Sequence, residues 1–270
     1  MSMSSSIPLP NRTYAPLQLE LSRANITVKN RRLSIVQPKD EDQVLDMYIG
    51  QEKDPYWCRV WPSSMALAEE IFCHPELVAH RKVCDLGAGL GLAGLAAAFA
   101  GAKEVVLLDQ EPLALVCSLL SFHANFPGIT TNVASFGELL GSSLDGLLAK
   151  ASPEAPEAPK TPVLVTAEIF DWTEDRDLSR YEFDTVLACD LLYMKSSPAR
   201  LAKIAPQLLK KGGKARLLLT DPVERTPGHR DEFLRLLQST QLKVVDQSRR
   251  EPEMDGKVHQ IELLSCETQA

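Results

Sequence analysis

Apolar positions along this chain change their period, and each change marks an element. Between residues 17 and 35 the alternation is two-fold: Leu17, Leu19 and Leu21, then Ile26 and Val28, then Leu33 and Ile35. Lys29-Asn30-Arg31-Arg32 supplies a polar turn, so a small β appendage is expected. From Pro62 the period lengthens, and Met65, Leu67, Ala68, Ile71 and Phe72 fit one face of a helix that proline starts well. A short run, Val83-Cys84, is followed by glycines, an Ala-rich helical run to Ala100, a Gly101 stop and a second apolar run from Val105 to Leu108. A helix over 112–124 then carries Leu113, Val116, Leu119 and Leu120. Strand patterns return at Val163 to Val165 and Phe183 to Asp190. Helix 198–209 ends in Lys210-Lys211-Gly212-Gly213, basic residues and glycine suiting the carboxyl end of a helix. Strand 214–220, helix 230–238 and a closing pair, Lys243 to Val245 and Val258 to Leu264, complete the series.

Five strand-helix units and a terminal strand pair predict an α/β fold built on an open, mostly parallel, twisted sheet. Residues 1–15 lack periodicity and read as an unstructured tail, 16–50 as the β appendage, and 51–270 as the α/β domain. Residues 137–150 fit a short helix. The Pro/Ala/Glu-rich stretch at 150–162 reads as a disordered loop inserted in the domain.

Length and charge narrow the function. At 270 residues the chain supports a large core without staples. A net charge of −7 argues against nucleic acid as a partner, with Lys210-Lys211 and Arg249-Arg250 read as solvated helix ends and loops. No apolar run reaches the roughly 20 residues needed to cross a bilayer, so no membrane association is expected. Six cysteines carry no C-x-x-C, which signals neither zinc nor a disulfide framework. Reduced thiols fit the cytoplasm, with the nucleus or an organelle as alternatives. The first nineteen residues, Ser-rich with Arg12 and no acid, resemble a transit peptide faintly. His74 and His123 are not expected to act in catalysis, and a monomer is expected.

The candidate chemistry gathers at Asp85-Leu86-Gly87-Ala88-Gly89-Leu90-Gly91. Glycines reach positive φ there and let a ligand lie against the backbone, while the next helix offers unpaired N–H groups. Asp109, at the end of the following strand, is placed to accept both hydroxyls of a ribose. Gly89, Gly91 and Gly94 also satisfy a dinucleotide fingerprint, with the acid about 20 residues on, so NAD stays open at this point. Asp85, ahead of the glycines, favours a ligand with positive charge, such as a sulfonium bearing an α-amino group. Trp61, beside a helix start two turns of helix before the loop, is a candidate for the same pocket.

The glycine motif resembles the first motif of the class I S-adenosylmethionine-dependent methyltransferases. With Trp61, Asp171-Trp172 after the third core strand and Asp190-Leu191-Leu192-Tyr193 after the fourth, the set resembles methyltransferase family sixteen, whose members mostly modify lysine in proteins. The resemblance covers roughly residues 54–265 and implies a Rossmann-like, doubly wound sheet of seven strands with a terminal antiparallel strand. It implies S-adenosylmethionine as cofactor and a protein as substrate. It further implies that Trp61 packs on the cofactor, that Gly87, Ala88 and Gly89 lie along its methionine part, that Trp172 flanks the adenine and that Cys189 touches it. Asp190 and Tyr193 are the candidates for orienting the acceptor amine. The segment Asp54-Pro55-Tyr56-Trp57-Cys58-Arg59-Val60-Trp61-Pro62 looks more like the electron-transfer-flavoprotein lysine methyltransferase branch than the heat-shock-protein branch. Arginine or small-molecule methylation, and a scaffold that has lost catalysis, remain alternatives.

Overall fold

The computed structural model describes residues 3–6, 18–50, 55–126, 129–133 and 163–269; the expected helix at 137–150 and the Pro/Ala/Glu loop lie outside them. In chain order the elements are β1 (Met3–Ser6), β2 (Gln18–Val28), β3 (Arg31–Pro38), α1 (Glu41–Tyr48), α2 (Pro62–Cys73), β4 (Lys82–Leu86), α3 (Leu92–Phe99), β5 (Glu104–Asp109), α4 (Pro112–Asn125) and β6 (Thr130–Val133). Then follow β7 (Leu164–Ile169), β8 (Thr185–Cys189), α5 (Ser197–Leu208), β9 (Arg216–Pro222), α6 (Pro227–Leu237), β10 (Leu242–Arg250), β11 (Glu253–Met254), β12 (Lys257–Val258) and β13 (Ile261–Thr268).

The central sheet runs β10-β13-β9-β8-β4-β5-β7-β6. All its pairings are parallel except those of β13, which lies antiparallel between β9 and β10. Side chains alternate between two buried cores: in β5, Val105 and Leu107 enter one, Val106 and Leu108 the other. Burial on both faces is what a parallel sheet covered by helices requires, and it explains why these strands read as continuous apolar runs.

The sheet has eight strands rather than seven. The extra one, β6, pairs with β7 at the edge and reads Thr130-Thr131-Asn132-Val133, which carries too little apolar signal to stand out in the sequence. The appendage contains β2 and β3 as expected, but also α1, started by the Asp40 side chain accepting the N–H of Asp42. Met3–Ser6, within the stretch read as an unstructured tail, pairs antiparallel with β2; a backbone ladder needs no apolar period.

The appendage packs on α4 and shares one of the two cores. The contact is polar at its centre. Asn125, fully buried, accepts from the N–H of Ser34 at 3.0 Å and donates to the carbonyls of Ser34 and Ser121 at 2.7 Å each. Ser121 Oγ accepts from the N–H of Val36 at 2.8 Å. The exposed edge of β3 is thus satisfied by side chains of a helix instead of a strand.

Candidate active site

Register sets the floor of the site. Leu86 at the end of β4 lies opposite Leu108 of β5 and Ala188 of β8, so the next residues, Gly87, Asp109 and Cys189, emerge in one row. The chain leaves β4 towards β5 on one side and returns at β8 on the other, which makes this the switch point where open α/β sheets take ligands. A cleft of about 450 Å³ opens there. Its walls include Trp61, Gly87, Ala88, Gly89, Asp109, Trp172, Cys189, Asp190 and Tyr193, nine of the ten residues singled out from the sequence.

The tenth, Asp85, does not line it. Its carboxylate is buried and accepts the N–H of Gly94, in the first turn of α3, at 2.7 Å. Asp85 therefore holds the helix behind the glycine loop and does not face a cationic ligand, contrary to the expectation from sequence. Burial pushes its carboxyl up to about 7, against the lowering effect of the Gly94 hydrogen bond, with nearby Asp109 adding to the rise. Gly94 is required for this packing, since a Cβ would sit 2.9 Å from Leu107 and 3.0 Å from Asp85. At Gly91, which precedes α3 with φ +76°, a Cβ would meet Ser118 Oγ at 2.8 Å; that hydroxyl donates to the carbonyl of Gly89.

Asp109 closes the other side of the loop. Its Oδ2 accepts the N–H of Gly89 at 2.8 Å and its Oδ1 that of Glu111 at 2.9 Å. Burial raises its carboxyl to about 6 despite these donors. Glu111, also buried and in the wall, starts α4 by accepting the N–H of Leu113 and interacts with the hydroxyl of Tyr48 in α1. Tyr48 in turn accepts from the indole N–H of Trp57 at 3.0 Å. A chain of polar contacts thus runs from the appendage into the cleft wall.

Another part of the wall is aromatic and cationic. Trp61 is held by its indole N–H donating to the carbonyl of Tyr56 at 2.8 Å. Tyr56 meets both Trp61 and Tyr193 edge-on, with ring centroids 5.9 Å apart in each pair. Arg59 and Arg225 lie over the Trp61 ring at 5.0 and 5.9 Å. Arg225 also forms an ion pair with Asp190, whose other carboxylate oxygen lies 3.4 Å from the hydroxyl of Ser63. Asp190 sits just past β8 with φ +62°, an uncommon conformation for a residue with a Cβ, fixed by its N–H donating to the carbonyl of Thr220.

Trp172 lines the cleft beside Phe170, while Asp171 accepts the N–H of Thr173 in a local turn. The buried thiol of Cys189 is pushed up by burial and stays neutral. The two basic clusters have counter-ions: Lys210 with Asp184, Arg249 with Glu262 and Arg250 with Glu70. The sequence reading missed Arg225, Glu111 and Tyr48. Only Glu111, two residues after Asp109, carried a positional hint.

No family model matches the chain. Two solved structures share its architecture. A protein of Pyrococcus horikoshii assigned as an RNA methyltransferase superposes over 86% of this chain and all of its own, with a TM-score of 0.52 and 14% identity. A protein of Streptococcus mutans assigned as an S-adenosylmethionine-dependent methyltransferase covers 91% of this chain and 55% of its own, with a TM-score of 0.54 and 10% identity. The fold is that of the S-adenosylmethionine-dependent methyltransferases. By sequence, the chain is similar to the electron transfer flavoprotein beta subunit lysine methyltransferase of Danio rerio, 38% identical over 97 residues that make up 34% of this chain and 35% of the relative. The matched region thus spans about a third of that relative's length. Among the described residues, no helix is long and apolar enough to cross a membrane, and no cluster of His, Cys, Asp or Glu could hold a metal.

Proposed function

We propose that the chain is an S-adenosylmethionine-dependent N-methyltransferase that modifies a lysine side chain of a protein. The observation that carries this reading is that one cleft is lined by Asp109 and the glycine loop together with Asp190 and Tyr193. The resident chemistry suits the cofactor: an acid for ribose hydroxyls, backbone groups of glycines and flanking tryptophans, in a volume typical of small-molecule sites. Similarity to named lysine methyltransferases supports the choice of acceptor.

In this reading Asp109 uses its remaining lone pairs for the ribose, Trp172 flanks the adenine, Trp61 packs on the cofactor, and Gly87, Ala88 and Gly89 line the methionine part. When bound, the cofactor supplies a methyl group on a sulfonium that departs as a neutral thioether. The acceptor lysine must react without its proton, although its pKa in water is about 10.4. Tyr56, Trp61 and Tyr193 desolvate it, which favours the neutral amine. Asp190 takes the proton, and Asp190 and Tyr193 hold the nitrogen in line. The free thiols fit a cytoplasmic enzyme.

Calorimetry with S-adenosylmethionine, followed by radiolabelled methyl transfer onto a whole-cell protein extract and amino-acid analysis of the labelled band, tests the proposal. Heat of binding and label in methyl-lysine are expected. Label in arginine or in small molecules would change the substrate class, binding without transfer would make the chain a scaffold, and absence of heat would remove the cofactor.

A further inference from the structure

Arg225 stands where an acceptor amine would have to come. Its guanidinium pairs with Asp190 Oδ1, lies against the Trp61 ring and has Tyr56 as a neighbour. Its side chain is 34% exposed, so it is partly stripped of water and rests on that carboxylate. The other acids in the cleft wall, Asp109 and Glu111, belong to the ribose end and are engaged there with backbone N–H groups. Arg59, on the same tryptophan, has only a loose exposed pairing with Glu41 at 3.7 Å. Among the described residues, therefore, the acceptor end of the cleft carries two guanidiniums and one carboxylate in its wall.

An amine that takes Asp190 removes the counter-ion of Arg225. A partly desolvated guanidinium left alone is unfavourable, and the cost is recovered if the incoming molecule brings its own anion. We infer that Arg225 makes the site selective for an acceptor lysine that has an Asp or Glu beside it in the substrate protein, the substrate carboxylate replacing Asp190 on Arg225 as the amine replaces Arg225 on Asp190. This exchange of partners rests on the proposed lysine methylation and on Asp190 as the amine's partner. An extended peptide advances about 3.3 Å per residue, and Arg225 contacts Asp190 directly, so the acid lies close to the lysine in the substrate sequence. Arg59, across the Trp61 ring, extends the same preference outward.

The test uses peptides with a central lysine and three randomised positions on each side, incubated with radiolabelled S-adenosylmethionine and the wild-type protein, Arg225→Gln or Arg225→Lys. Wild type is expected to label acid-flanked peptides about tenfold better than their amide counterparts, the scale of one charge-assisted hydrogen bond. The preference should shrink as salt is added, disappear in Arg225→Gln and persist in weaker form in Arg225→Lys. The salt series on wild type decides the matter even where a variant fails to fold. Labelling without acid preference, or a preference unchanged in Arg225→Gln, overturns the inference. So does an extract in which a protein is labelled on lysine while no peptide is, and that result leaves the proposed function standing. Absence of cofactor binding by calorimetry and of any label in the extract would instead remove the function, and the selectivity with it.

Discussion

The backbone N–H of Gly89 donates to Oδ2 of Asp109 across 2.8 Å, tying the glycine loop to the end of the neighbouring strand. One side chain thus shapes the loop and lines the cleft, where the proposed function gives it the ribose. Asp109→Ala is expected to weaken S-adenosylmethionine binding by about 1.5–3 kcal/mol, the range for hydrogen bonds to a charged group. It should also lower the melting temperature, because the N–H groups of Gly89 and Glu111 lose their acceptor. Asp109→Asn should recover stability more than affinity. Calorimetry and thermal unfolding on the two variants check both halves, and unchanged affinity in the alanine variant would remove the ribose role.

Asp85 gives a pH dependence of definite sign. Its folded-state carboxyl, raised to about 7, keeps a proton that the unfolded chain has already lost above about 4. Its contribution to stability therefore falls as pH rises from about 4 to about 7 and is constant on either side. Asp85→Asn keeps an acceptor for the Gly94 N–H without that loss. Denaturant unfolding should show the variant gaining on wild type steadily across this window; a difference independent of pH would contradict the assignment.

Asp190 and Tyr193 carry the transfer step in the proposed mechanism. Asp190→Asn should leave cofactor affinity within a few fold and lower methyl transfer by about 10²–10⁴, the span of a positioned acid-base group. Tyr193→Phe should lose less, since the ring still meets Tyr56. Single-turnover rates on the labelled substrate measure this. A stable Asp190→Asn protein with the wild-type rate would be incompatible with the role.

Asn125, at the opposite end of α4 from Glu111, holds the appendage to that helix. Asn125→Ala should cost about 1–3 kcal/mol per backbone group left unpaired, seen as a lower denaturation midpoint. An effect below about 0.5 kcal/mol, the range of ordinary surface changes, would show that water replaces the amide.

What the sequence made legible were features of short range. The loop Gly87 to Gly91, its flanking apolar runs and the acids ending successive strands lie next to one another in the chain, and a parallel sheet places strand ends in one row. Asp85 was misread because its place ahead of the glycines does not show which way its carboxylate turns; packing of Gly94 against it does. Arg225 follows β9 and reaches Asp190 only through the fold, with no pattern around it to mark it. The strand β6 and the helix α1 stayed hidden for a different reason: each is short, and each is stabilised by neighbours more than by its own apolar period.

All three tryptophans of the chain, Trp57, Trp61 and Trp172, stand in the wall of the one cleft. The indole emission of the whole protein consequently originates at this cleft, and no other part of the molecule adds to it. Filling the cleft changes the surroundings of every indole at once, so the unlabelled protein is its own optical sensor of occupancy.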